Sequence, residues 1–162
     1  MDLCKMISLD TSSLASGWAY WENGILKEHD VIYSKKIKNK EDRLDYMCEN
    51  LVYLLNHYNP NIIVIEMTSV ARNAYTQRIL TEIVGVVRGY SLVCNAEFVR
   101  YRVSEWRKLT KDEYVNKNMK SRDWKAWAVE KIRRDYGIDP KDDNEADAIL
   151  IGQARINQFK KL

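Results

Sequence analysis

Apolar and polar positions along the chain fall into two alternating rhythms. The segment "CKMISLD" is an apolar run with β-branched content that ends in an acid, as a buried strand would. "SGWAYWENGILKEHDVIYS" predicts two further strands folded back around the turn "ENG". A helical period follows in "EDRLDYMCENLVYLLNHY", where Leu44, Met47, Leu51, Leu54 and Leu55 share one face and "NPN" stops the run. "IIVIE" is short, wholly apolar and β-branched, the pattern of a strand covered on both faces. "AYTQRILTEIVGVVRGYSLVCNA" predicts a helix whose Gly85 and Gly89, four residues apart, suggest a close helix contact. A strand at "EFVRYR", a helix at "RDWKAWAVEKIRRDYG" ending at Gly137, and a last helix at "DNEADAILIGQARINQF" complete the order. The pattern predicts an α/β protein with five strands. No repeat, low-complexity tract or linker interrupts it, so one domain over residues 1–162 is expected.

Composition narrows the class. The chain has 162 residues, 46% hydrophobic and 30% charged, as expected of a globular protein long enough to bury a full core. No apolar run approaches the roughly 18 residues of a membrane helix, and "MDLCKMISLD" lacks the apolar stretch of a signal peptide, so a cytoplasmic setting is expected. Cys4, Cys48 and Cys94 are odd in number and widely spaced, which predicts buried reduced thiols rather than disulfides or a zinc site. His29 and His57 read as a surface residue and a helix-end residue. The net charge of +3 is modest, but the basic residues concentrate between Arg100 and Arg134, with three tryptophans among them. Trp18 and Trp21 suit the packing of the hairpin, whereas Trp106, Trp124 and Trp127 could serve either the core or a binding surface.

Acids end the strands at telling places. Asp10 closes the first strand and Glu66 the fourth, and in open sheets functional groups gather at the carboxyl ends of strands. Should those two strands be parallel neighbours, both acids emerge side by side. Asp143 and Asp147 lie one helical turn apart on the final helix, where they can join the pair. Four converging carboxylates are untenable without a cation, and hard oxygen donors select Mg²⁺ or Mn²⁺. Two such ions about 3.5–4 Å apart form the clamp used for in-line attack on phosphodiesters.

The set resembles the RuvC family of Holliday junction resolvases, within the ribonuclease H-like superfamily. "ISLDTSSLASGWAYWENG" is similar to that family's first acidic strand and hairpin, "NIIVIEM" to its second acidic strand, and "EADAILIG" to its terminal Asp-Ala helix. "NMKSRDWKAWA" is similar to the family's basic stretch, and the small size resembles its phage-encoded branch. The resemblance implies a ribonuclease H-like fold, a mixed five-stranded sheet flanked by helices. It also implies a homodimeric endonuclease that nicks branched DNA, four-way junctions or forks, with two Mg²⁺ or Mn²⁺ ions per site. Asp10, Glu66, Asp143 and Asp147 would be the metal ligands and Lys120 the catalytic lysine. Lys117, Lys120, Arg122 and Lys125 would line a phosphate track, and Arg72, Tyr75 and Arg78 would meet the strand at the branch point. The helix "AYTQRILTEIVGVVRG" is the candidate dimer surface.

One position departs from the family pattern. Bacterial members usually carry an acid or histidine three residues before the last aspartate, and that position here is Asn144. Asp143, four before it, shares the same helix face and can substitute, with Asn144 as fallback ligand and Asp142 as a weaker candidate. Glu145 points away at a different angle and reads as a solvated first-turn acid favoured by the helix dipole. Three other readings compete. A ribonuclease on RNA–DNA hybrids would use the same fold and metals, and a non-cleaving binder of branched DNA would need no carboxylate quartet. "DTSS" could also open a phosphate-binding turn of the actin and sugar-kinase type, but that fold needs two such domains and glycine-rich loops, and this chain has six glycines.

Overall fold

A computed structural model describes residues 4–67 and 73–160 of the chain. Five strands form one sheet: β1 (Lys5–Asp10), β2 (Ala15–Glu22), β3 (Ile25–Tyr33), β4 (Ile62–Glu66) and β5 (Glu97–Tyr101). Their order is β3-β2-β1-β4-β5, with the first three antiparallel to one another and β1, β4 and β5 parallel. The hairpin between β2 and β3 turns on Asn23 and Gly24, both with positive φ (52° and 77°), which matches the twist of the flanking strands.

Strand alternation divides the core into two. Ile7, Leu9, Ile63 and Ile65 face one side, where they meet α1 (Lys40–Tyr58) and α2 (Ala74–Val93). Met6, Ile62 and Val64 face the other, under α3 (Val103–Thr110), α4 (Ser121–Tyr136) and α5 (Asp143–Phe159). The unbroken apolar run of β4 is thus explained, because both of its faces are covered. Helix α1 begins at the Asn39 cap, whose side chain accepts from the Glu41 and Asp42 amides, and buries the five apolar residues its period marks. Helix α4 ends on Gly137 at φ 67°.

Helix α5 lies across β1 and β2 at very short range. A Cβ on Gly17 would stand 2.0 Å from the Asn144 carbonyl oxygen, and one on Gly152 would stand 2.3 Å from Trp21 Nε1. Only the missing side chains allow this approach. Ser8 Oγ donates to the Ala148 carbonyl (2.7 Å) and accepts from Trp21 Nε1 (3.0 Å), which fastens the helix to the sheet.

Several expectations need correction. A Cβ added to Gly85 or Gly89 on α2 would meet nothing within 4 Å among the described residues, so the two glycines mark an open face rather than a close helix contact within the chain. The buried stripe of α2 is Ile79, Ile83, Val87 and Ser91 instead. Cys94 is exposed and Cys4 and Cys48 are partly covered, because Cys94 caps α2 instead of facing the core; all three are free thiols. Helix α3 has no counterpart in the sequence pattern: eight residues with Trp106 and Thr110 buried are too few to establish a period. Among the described residues, no helix is long and apolar enough to cross a membrane.

Candidate active site

The acid-bearing strands lie where the sequence pattern requires. Strand β1 pairs in parallel with β4 in a register that matches Leu9 with Ile65, so Asp10 and Glu66 leave neighbouring strands at the same end. The close contact at Gly17 sets the first turn of α5 beside them, with Asp143 at its start and Asp147 one turn on. Asp10 is pushed well above the usual carboxylate range, by burial first and then by the charges of Asp147, Glu66 and Asp143. Asp147 is raised to about 7 by burial and by Glu66, with Arg107 and Lys125 pulling it back. Burial also raises Glu66, against a hydrogen bond that Trp106 Nε1 donates to its Oε2 (2.7 Å) and the charge of Arg107.

This is a set of oxygen donors with more negative charge than its surroundings compensate. Lys125 Nζ lies 2.6 Å from Asp143 Oδ2, which lifts the lysine above its ordinary value through that hydrogen bond. Arg107 is lowered by burial, while the carboxylates of Asp147, Glu66 and Asp10 draw it back up. Among the described residues, no three Asp, Glu, His or Cys side chains already stand close enough to cage an ion. The four acids are within electrostatic reach of one another without being closed into a coordination shell. Their hard donors and the raised pKa values of Asp10, Glu66 and Asp147 fit a divalent cation such as Mg²⁺, whose charge would relieve the mutual repulsion.

The other acids of the final helix have separate tasks. Asp142 caps α5, accepting from the Asn144 (2.9 Å) and Glu145 (3.1 Å) amides and from Tyr33 Oη (2.7 Å). Burial works against its charge, but these hydrogen bonds hold it below the usual value. Glu145 is not a solvated first-turn acid. It is 2% exposed, 2.6 Å from His29 Nδ1 and bonded to the Lys141 amide at 2.5 Å. Two residues along a helix turn a side chain to the far side, and here the far side is the hairpin, not water. His29 is therefore a partner of Glu145 rather than a free surface residue, whereas His57 does lie in the last turn of α1.

Of the expected DNA-contacting residues, Lys117, Lys120, Arg122 and Lys125 are exposed. The cations that act most strongly on Asp10 and Asp147 are Lys125 and Arg107; Lys120 instead sits at the N-cap of α4, its amide bonded to Asp123. Tyr75 is 38% exposed, with Lys40 Nζ 4.7 Å and the Arg78 guanidinium 5.3 Å from its ring centre. Arg78 is also paired with Glu41 (2.7 Å) and Glu82 (3.4 Å). Arg72 lies outside the described residues. Trp106 and Trp127 belong to the core, and Trp124 lies at its edge.

No family model and no curated protein matches the chain in sequence. Solved structures do match it in shape. Thermus thermophilus RuvC, in complex with a Holliday junction substrate, superposes with a TM-score of 0.73 at 13% identity over 97% of this chain and 96% of that one. The fold is that of RuvC. Fowlpox virus resolvase, in complex with Holliday junction DNA, gives a TM-score of 0.62 at 14% identity over 96% of this chain and 98% of that one. The yeast mitochondrial Holliday junction resolvase Ydc2 gives 0.60 at 15% identity over 94% and 77%. The RuvC-type fold accounts for nearly the whole chain, so the resemblance drawn from short motifs holds at the level of architecture.

Proposed function

We propose that the chain is a metal-dependent, structure-selective endodeoxyribonuclease that nicks branched DNA such as four-way junctions and forks. The observation that carries this reading is the convergence of Asp10, Glu66 and Asp147, with Asp143 beside them, at the ends of two parallel strands and one helix. Two of the structures with this fold are complexes with Holliday junctions, which supports branched DNA as the substrate class. Asp10, Glu66, Asp143 and Asp147 would hold two Mg²⁺ or Mn²⁺ ions, with Asn144 as fallback. When bound, the ions supply Lewis-acid charge on the attacking and leaving oxygens of an in-line displacement at phosphorus.

The residues of the chain prepare that site. The indole of Trp106 donates to Oε2 of Glu66 and so fixes the orientation of that carboxylate. Lys125 neutralises Asp143, and with a cation held on that carboxylate its ammonium would be free to meet a phosphate. Lys117, Lys120 and Arg122 continue the positive track, while Tyr75 offers a stacking face on the α2 side, with Arg78 beside it and held by Glu41 and Glu82. A four-way junction has near two-fold symmetry, so two copies of the chain are the natural assembly. The outer face of α2, with Leu92 72% and Val93 87% exposed, is the surface we assign to that contact.

The competing readings share the fold and differ in substrate. Incubation with Mg²⁺ and a labelled four-way junction, a linear duplex and an RNA–DNA hybrid separates them. Nicks confined to the junction support the proposal; preferential loss of the RNA strand would assign a hybrid nuclease, and tight junction binding without any nick would assign a binding module.

A further inference from the structure

A cleft with a volume of about 1010 Å³ opens between α3, the α3–α4 connection and the start of α4. Its position ties it to the acids. Met67, the residue directly after Glu66, lines it, and so does Arg107, whose charge reaches Asp147, Glu66 and Asp10.

Its lining has two characters. Arg102, Lys108, Lys111 and Lys117 supply four cations that form no ion pair among the described residues, while the charge of Arg107 is drawn to the carboxylates of Asp147, Glu66 and Asp10. Among the described residues the one acid in the lining, Asp112, is already taken by Lys131, Arg134 and Trp127 Nε1. On α4, by contrast, Lys131, Arg133 and Arg134 are all neutralised by nearby acids. Unpaired like charges gathered in one concavity repel one another and favour an anion from outside. The floor, however, is apolar: Met67, Val103, Val115 and Trp124. Arg107 lies 4.5 Å from the Trp124 ring centre and 5.2 Å from that of Trp106, and its Nε is buried with no hydrogen-bond partner. A duplex arm presents phosphates to a surface and needs no such floor. An unstacked base does need one, because it must rest its face on an apolar or aromatic side chain.

We infer that this cleft takes an unpaired nucleotide of the substrate strand next to the scissile phosphate, its phosphates on Lys108, Lys111 and Lys117 and its base against Met67 and Trp124. The inference rests on the nuclease reading for the identity of the strand, but the cleft can be tested without cleavage. A short single-stranded oligodeoxynucleotide carrying 5-iododeoxyuridine at successive positions is irradiated with the full chain in chelator, and the adducts are mapped by peptide mass spectrometry. Adducts are expected on Trp124 or Met67. Lys111→Ala and Lys117→Ala, both exposed positions, should each flatten the slope of log affinity against log salt by about 0.7. Trp124→Phe should keep binding, and Trp124→Ala should weaken it about tenfold or more. Adducts confined to the Tyr75 side, or unchanged salt slopes in both lysine variants, would overturn the inference. Adducts at Trp124 from a chain that cuts no DNA would retain the cleft and discard the nuclease; junction cleavage without adducts in the cleft would do the reverse.

Discussion

Replacing Asp147 with asparagine should stabilise the metal-free protein at high pH. The carboxyl of Asp147 rises from 3.8 to about 7 in the folded chain, burial and Glu66 being the first causes. Between those values the folded chain holds a proton that the unfolded chain has released, so stability falls as pH rises through that window. Above pH 7 the full penalty is present, and the rise corresponds to at most about 4 kcal/mol. Asparagine has the shape of the carboxyl without its charge. In chelator at about pH 8, Asp147→Asn should therefore unfold at higher urea than the natural chain, by up to that amount, and at about pH 4 the two should nearly coincide. Mg²⁺ at about a hundred times its dissociation constant should return about 2.7 kcal/mol to the natural chain and far less to the variant, which has lost a ligand. Urea titrations followed by tryptophan fluorescence at both pH values measure all of this. A variant less stable than the natural chain at the higher pH in chelator would refute the claim that these acids repel one another.

Three other expectations follow from the same geometry. Asp143→Asn should reduce junction cleavage by orders of magnitude and Asn144→Ala much less, because only the carboxylate brings charge to a hard cation; single-turnover rates at saturating Mg²⁺ compare them, and the opposite ranking would move the fourth ligand to Asn144. Gly17→Ala should lower stability by about 1–3 kcal/mol or more and slow cleavage, since a Cβ 2.0 Å from the Asn144 carbonyl forces α5 and its two aspartates away from Asp10; unchanged thermal unfolding and activity would contradict the close contact. If Lys120 contacts a phosphate of a duplex arm, Lys120→Ala should reduce the salt slope of junction binding by about 0.9, measured by fluorescence anisotropy across a salt series; an identical slope would return it to a solvated helix cap.

What is legible in the sequence is whatever repeats at a fixed period or sits at a strand end. The apolar runs of β1 and β4 reveal the strands, and their terminal acids become neighbours once the two strands pair in parallel. The turn at Asn23 and Gly24 marks the hairpin, and the helices α1, α4 and α5 announce themselves by their apolar faces and stops. What stays hidden depends on contacts between distant segments. Trp106 and Arg107 reach the acids from α3, a helix too short to show a period, so the sequence alone attaches neither to Glu66 or Asp147. Glu145 reads as solvated because nothing local shows that the hairpin lies against its side of α5 and brings His29 to it. Gly85 and Gly89 have a spacing that suits close packing, yet spacing says nothing about whether a partner is present, and among the described residues none is.

If the four acids form a divalent-cation site that cuts branched DNA, the most direct measurement is the nicking of an end-labelled four-way junction. The natural chain and Asp10→Asn are compared, each with Mg²⁺ and with chelator. Nicks are expected only from the natural chain with Mg²⁺, while Asp10→Asn still shifts the junction in a gel. Cleavage that persists in chelator or in Asp10→Asn would contradict the assignment of these acids as the cutting site.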